Sequence, residues 1–320
     1  MNRLTKPQLA AVLLLTDGFA LLCIKDCVSL LTLAGFLAGT LIQALAALLL
    51  TRSSRPCGRI CLCLILLCLL VQGGQTFGML RRTCGGITAP ANGTAVVLLT
   101  ALVSLYAVSS GIRPLSRAAV FAAAAGALCL AAVTLTELFS AGAGDWEAVK
   151  DIPACYTFRE EVVRGLAAGT GTGAFAVLYR TAPGGSWRTW LAGRAAVTAA
   201  VFFTVMLSAG GIMSIVSCPA VTAAHIVQPF PTQRIDALFM TVFTVSAFFA
   251  VSIQGVCCTH ILGRLVPSLR YRSFTAVPAL LVSGVIVGSG LPESFLAAVS
   301  LLPLLAPPVS ALVSRISRPS

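Results

Sequence analysis

Charged residues are scarce in this chain of 320 residues, since Asp, Glu, Lys and Arg together make up 10% of it. Soluble domains average roughly 25% charged residues, so the composition argues against a domain surrounded by water. There are only two histidines, which leaves no Ser/His/Asp or Cys/His constellation to assemble and disfavours an enzyme. Cys257, Cys258 and His260 lie close together in the sequence, but adjacent cysteines lie about 100° apart on a helix and no second ligand cluster accompanies them, so no metal or cofactor is expected.

Apolar residues take the place of the missing charges. Residues of the set AVILMFWYC make up 58% of the chain, and the mean hydropathy is +0.95. A net charge of +12 at pH 7 raises the question of a nucleic-acid partner. However, the Lys and Arg residues lie in short clusters between apolar runs of 17 or more residues, which is typical of a polytopic membrane protein. A lipid bilayer is therefore expected around the chain, and no nucleic acid.

The apolar runs can be counted against the length of a membrane-spanning helix, which is about 20 residues. Ten such runs predict an all-α membrane protein of about ten transmembrane helices, with residues 1–320 as a single integral membrane domain. The connection 216–235 is expected to hold one short re-entrant or interfacial helix. The runs are 8–24, 28–50, 60–80, 93–111, 116–140, 161–180, 188–215, 236–262, 274–291 and 294–313.

The distribution of charge predicts the orientation, because Lys and Arg resist translocation. With ten spans, 15 of the 22 Lys and Arg residues, Arg194 among them, map to the face that carries both termini. Every Asp and Glu except Asp17 maps to the opposite face, as do Lys25 and Arg164. Both termini of this multi-pass protein are therefore expected in the cytoplasm.

Most of the 12 cysteines fall inside the apolar runs, where they serve as small apolar side chains. Three of them, Cys84, Cys155 and Cys218, fall in predicted loops on one side of the membrane. Whether any of these three pair is left open, because a disulfide depends on geometry that the sequence does not give.

Ten spans divide into two five-helix repeats, 1–140 and 161–313, as in transporters built from inverted repeats (the LeuT-like or APC fold). In those folds the first helix of each half is interrupted at mid-membrane, and the freed backbone groups bind substrate or ion. Spans 1 and 6 both carry polar and glycine residues near their centres, which predicts an interruption in each. These residues are Thr16, Asp17, Gly18, Gly169, Thr170, Gly171, Thr172 and Gly173.

Asp17 has two interpretations, because a carboxylate near the bilayer centre costs several kcal/mol unless it is neutralised, paired or hydrated. It could couple proton or cation movement or bind a substrate amine. Alternatively, it is protonated and hydrogen-bonded to a neighbouring helix, or it faces a small hydrated pocket without a transport role. The glycines from 169 to 173 could likewise expose amides to a carboxylate ligand, or only allow close helix packing.

Three glutamines lie within apolar runs at equivalent places in the two halves: Gln72 and Gln75 in span 3, and Gln254 in span 8. They are candidates for lining a central ligand cavity. Hydrogen bonding between helices is the alternative.

Several strings resemble the spore germination permeases, the B-type membrane subunits of nutrient germinant receptors, within the amino acid/polyamine/organocation transporter superfamily. They follow the order of that family's helices and cover most of the chain. Asp17 stands where the family often has an uncharged, glycine-containing stretch. The strings are LTKPQLAAVLLL at 4–15, YAVSSGIRPLSRAAVF at 106–121, GDWEAVKDI at 144–152, RGLAAGTGTGAF at 164–175 and AAHIVQPFPTQRIDALFMTVFTVSAFF at 223–249.

The resemblance implies a transporter-like fold whose pocket, formed by spans 1 and 6 with help from 3 and 8, binds a small nutrient such as an amino acid. It implies two partners, an A-type membrane subunit and a C-type lipoprotein subunit, in the inner membrane of a bacterial endospore. The alternative function is a cation-coupled secondary transporter of amino acids or related organic solutes, with Asp17 as the coupling group. A membrane scaffold without a ligand is the third possibility.

Overall fold

A computed structural model describes residues 4–25, 28–52, 58–87, 90–182, 186–209, 219–226, 236–269, 271–288 and 290–316. These ranges form α-helices and one 3-10 turn at Tyr179–Thr181, with no strand among them. The helices are α1 (Lys6–Leu22), α2 (Leu30–Arg52), α3 (Arg59–Ile87), α4 (Pro90–Ser110), α5 (Ile112–Ser140), α6 (Ala143–Lys150), α7 (Phe158–Ala167), α8 (Thr172–Leu178), α9 (Ser186–Ala209), α10 (Pro219–Ile226), α11 (Asp236–Leu265), α12 (Arg272–Val287) and α13 (Glu293–Ile316).

Among the described residues, six helices are long and apolar enough to cross a membrane, namely α2, α3, α4, α5, α9 and α11. Large apolar side chains such as Leu102, Phe121 and Phe139 are exposed on the outside of the bundle, where hydrocarbon would solvate them. The protein is therefore an α-helical integral membrane protein, as the composition predicts.

In the part of the chain that the structure describes, each of the ten predicted runs contains a helix, and the run 161–180 forms two helices, α7 and α8. Residues 210–215 of the run 188–215 lie outside the described residues. The short helix expected within 216–235 is α10. Helix α6 was not predicted.

Of the three cysteines predicted in loops, Cys84 is buried and Cys155 is exposed and free, while Cys218 lies outside the described residues.

The predicted interruption of span 1 is wrong, because α1 is a continuous helix through Thr16, Asp17 and Gly18. Its polar residues do not compete with the helical backbone. The Thr16 hydroxyl donates to the carbonyl of Val12 one turn earlier, at 2.9 Å, and the Asp17 carboxylate binds groups of other helices. Gly18 alone costs only about 1 kcal/mol of helix propensity relative to alanine, which packing on neighbouring helices offsets.

The predicted interruption of span 6 is confirmed. Helix α7 ends at Ala167 and α8 begins at Thr172. Between them the amide of Gly169 donates to Leu166 O and the amide of Thr170 donates to Ala168 O, both at 3.0 Å, so the chain makes tight turns in place of the helical bonds. Three glycines within five residues lower the helix propensity here by about 1 kcal/mol each.

Small residues let α2 pack closely along α7. A Cβ atom added to Gly39 of α2 would lie 3.0 Å from the carbonyl carbon of Gly165, and one added to Gly165 would lie 2.7 Å from Cα of Phe36. This is the contact that spaced glycines make in membranes, where van der Waals packing of backbones drives helix association. It places Gln43, further along α2, beside the end of α7.

Candidate functional site

The carbonyl end of α7 is bound by side chains from three other helices. Gly165 O accepts from Arg194 Nη2 at 2.8 Å, Leu166 O from Gln43 Nε2 at 3.1 Å, and Ala167 O from Gln75 Nε2 at 3.2 Å. The last carbonyls of a helix have no partner within it and carry partial negative charge. A guanidinium and two amides satisfy them here, deep in the bundle.

The amide side of the interruption has the complementary set of partners. The Gly171 amide donates to Asp17 Oδ1 at 2.8 Å, and the Gly173 amide donates to Gln72 Oε1 at 3.2 Å. The amide group of Gln72 also donates to the Thr172 hydroxyl at 2.8 Å. The free amides at the start of α8 thus meet a carboxylate and a carbonyl oxygen, as the charge at a helix start favours.

Asp17 and Arg194 bring opposite charges to the two sides of the interruption. Asp17 Oδ2 accepts from the indole of Trp190 at 2.8 Å and lies 3.8 Å from Arg194 Nη1. Arg194 also donates to Gln43 Oε1. Both charged side chains are 1% exposed, so each needs the other, because an isolated buried charge costs several kcal/mol.

Ten of the eleven predicted site residues meet at this interruption. The carbonyl of Thr16 accepts from the Thr170 hydroxyl at 3.2 Å, the carbonyl of Gly169 accepts from the Thr172 hydroxyl, and Gln254 donates to Thr170 O at 3.4 Å. Gly18 is the exception, since no atom outside its own helix lies within 4 Å of a Cβ added there. Ligand binding by these residues stays a prediction.

Two members of the site, Trp190 and Arg194, were not predicted, and the prediction that Arg194 lies at the face carrying the termini is wrong because Arg194 is buried. Arg194 lies inside the run 188–215, on the helix that packs against α1, and is buried. The signal was a cation well inside one span, Arg194, and a carboxylate near the middle of another, Asp17, since buried charges in membranes pair with one another.

A second buried ion pair lies one to two turns before the end of α7. Glu161, fully buried, contacts Arg164 at 3.0 Å and accepts from the Thr32 hydroxyl at 2.7 Å. Arg164 also donates to the carbonyl of Lys25 at 2.6 Å and lies over the ring of Tyr156. Both charges were predicted at the outer face and are instead packed into the bundle.

Two cavities border these elements. An apolar one of about 190 Å³ lies between α1, α5, α9, α10 and α11, with Gly18 in its wall. A larger, more polar one of about 500 Å³ lies at the end of the bundle where α1 ends. Its buried end is formed by Gln75, Ala167 and Ala168, and its exposed residues include Lys25 and Arg82.

Of the predicted site residues, only Gln75 therefore lines the polar cavity. The amides of Gly171 and Gly173 are bound by the protein's own side chains instead. The interruption and the cavity meet at the end of α7, so a solute in the cavity would contact one edge of the interruption rather than its centre.

Comparison with known proteins finds neither a family model nor a curated protein that matches this chain. The resemblance to the spore germination permeases therefore depends on the strings quoted above alone.

Proposed function

We propose that this protein is the B-type membrane subunit of a spore nutrient germinant receptor, which binds a small nutrient and helps to trigger germination. The observation that carries the proposal is the break between α7 and α8, whose edge at the end of α7 borders a polar cavity of about 500 Å³. Cavities of this size suit small ligands. Interrupted membrane helices characterise the sites of transporter-like folds.

The proposal includes a ten-span arrangement. Helices α1 to α5 would form the first repeat, and α7 with α8, α9, α11, α12 and α13 the second, with α6 and α10 as connections. The termini would be cytoplasmic, so the polar cavity would open on the opposite side of the spore inner membrane. A nutrient arriving from outside would then reach Ala167 and Ala168 without crossing the membrane.

The state of Asp17 favours a receptor over a cation-coupled transporter. A coupling carboxylate must exchange its proton or cation during each cycle. Here one oxygen of Asp17 binds the Gly171 amide and the other binds Trp190, with Arg194 as the fixed counter-charge. Each oxygen thus already accepts a hydrogen bond from the protein, which supports a role for the carboxylate in holding the interruption together.

The interruption also offers a route by which binding could be signalled. Side chains from α2, α3 and α9 bind the end of α7, and side chains from α1 and α11 bind the segment between α7 and α8. A shift of Ala167, at the floor of the cavity, would change the hydrogen bond from Gln75. Ligand binding would then change contacts made by several helices, which is required if binding is to be signalled to the A-type and C-type subunits.

The test is co-purification combined with a flux assay. The full chain is expressed together with A-type and C-type germinant-receptor subunits. It is separately reconstituted into liposomes with a proton or sodium gradient and a labelled amino-acid mixture. We expect a stable complex of the three subunits and no gradient-driven uptake. Absence of a complex, or uptake that Asp17→Asn abolishes, would overturn the proposal and favour the coupled transporter.

A further inference from the structure

The polar cavity at the end of α1 has a marked difference between its two ends. Gln75, Ala167 and Ala168 form a buried, nearly uncharged floor. Lys25, Arg82 and Glu293 line the same cavity and are exposed. A solute entering from water would therefore pass charged groups before it reaches the end of α7.

The charges in the cavity wall are not equally available. Arg164 is 6% exposed, and Glu161, the Lys25 carbonyl and the Tyr156 ring already hold its guanidinium. It forms a neutral pair with Glu161 and also lies 3.8 Å from Glu293. Lys25 and Arg82 are the other two cations among the described lining residues, with Glu293 as the one carboxylate there.

This arrangement suits a small anion. Two exposed cations and one exposed carboxylate line the cavity. The cavity walls exclude part of the bulk water, which strengthens the attraction of the cations for negative charge. Guanidinium and ammonium groups both donate charge-assisted hydrogen bonds to carboxylates. The cavity volume of about 500 Å³ exceeds the needs of a solute of a few heavy atoms, so water would accompany it.

We propose that this cavity is a binding site for the carboxylate group of a small free solute, with Lys25 and Arg82 as the residues that select it. The inference deepens the proposed function, since it places the nutrient in the outer cavity and not against the α8 amides. Asp17 already occupies the Gly171 amide, so the ligand's carboxylate is recognised by side-chain cations instead of by a helix start.

The chain offers a matched control for this proposal. Arg81 and Arg82 are neighbours in α3 and both are exposed, but only Arg82 lines the cavity. Neutralising either one removes the same charge from the same helix turn and leaves the core untouched. A difference between the two variants therefore reports on the cavity, and not on net charge or folding.

The experiment is isothermal titration calorimetry of the full-length protein in detergent micelles, in a carboxylate-free buffer of low ionic strength. The probes are propionate, L-alanine and L-alaninamide, which carry a carboxylate, a carboxylate with an amine, and an amine alone. We expect the first two to bind and Arg82→Gln to weaken them about tenfold, the effect of one charge-assisted hydrogen bond. Lys25→Gln should act in the same direction, and Arg81→Gln should leave both affinities unchanged.

Three results would overturn the inference: no binding of any probe to the wild-type protein, preferential binding of L-alaninamide, or equal effects of Arg81→Gln and Arg82→Gln. None of them bears on complex formation with the A-type and C-type subunits, by which the proposed function is judged. Conversely, loss of the complex with intact, Arg82-dependent binding of propionate would leave the cavity assigned and the receptor role rejected.

Discussion

Helix α1 and the α7–α8 pair carry similar sequence features, but only one of them is interrupted. Both place threonine and glycine within two residues of each other in the middle of an apolar run. In α1 a single glycine follows Asp17, and the helix continues. In the second segment three glycines alternate with threonines, and the helix breaks between Ala167 and Thr172.

The difference teaches that weak helix propensity does not break a membrane helix unless something else binds the freed backbone. Around the second segment, Arg194, Gln43 and Gln75 bind the carbonyls, while Asp17 and Gln72 bind the amides. An unsatisfied backbone group in hydrocarbon costs several kcal/mol. Helix α1 supplies a partner to that segment and keeps its own backbone bonds.

The largest expected effect comes from removing the carboxylate that joins the two segments. Asp17→Ala leaves Arg194 buried without its counter-charge and the Gly171 amide without its acceptor, so we expect a loss of about 3–5 kcal/mol of unfolding free energy. Denaturant titration in detergent micelles measures it.

The double variant Asp17→Ala, Arg194→Leu should recover part of that loss, because it removes the unpaired charge. Glu147→Ala, which changes an exposed carboxylate, serves as the control and should leave stability nearly unchanged. A double variant no more stable than Asp17→Ala alone would contradict the pairing.

A smaller effect is expected where α7 packs against α2. In Gly165→Ala the new methyl group would lie 2.7 Å from Cα of Phe36, a backbone atom that a side-chain rotation cannot clear. Overpacking of this kind costs about 1–3 kcal/mol. Thermal unfolding of the purified variant checks the value, and a melting temperature equal to that of the wild type would show that α2 and α7 are further apart.

The smallest expected effects differ in sign between the two segments. Gly18→Ala meets no atom within 4 Å and should stabilise α1 by up to about 1 kcal/mol through helix propensity. Gly171→Ala would put a methyl group 3.0 Å from Asp17 Oδ1 and should destabilise the protein by about 1 kcal/mol. Parallel unfolding curves compare the pair, and a shift of the same sign in both would remove the distinction between the segments.

Much of the fold can be predicted from the sequence, because an apolar run of about 20 residues is the length of a helix that crosses the bilayer. Within the described residues, a helix forms in each of the ten runs, and the interruption at 168–171 follows from the glycine pattern. The continuity of α1 could not be predicted, because it depends on tertiary partners for Asp17 that lie 154 and 173 residues away. Arg194 was misplaced for the same reason. It lies close to the start of the run 188–215, where the neighbouring sequence does not tell a cation at the membrane surface from one buried in the bundle.

The claim that the protein's own side chains satisfy the interruption is tested most directly by hydrogen exchange of single amides in the wild-type protein in detergent micelles. The account predicts that the amides of Gly171 and Gly173, although not bonded within a helix, exchange as slowly as those of residues 16–18 in α1. Exchange of Gly171 and Gly173 at the rate of exposed loop amides would contradict it.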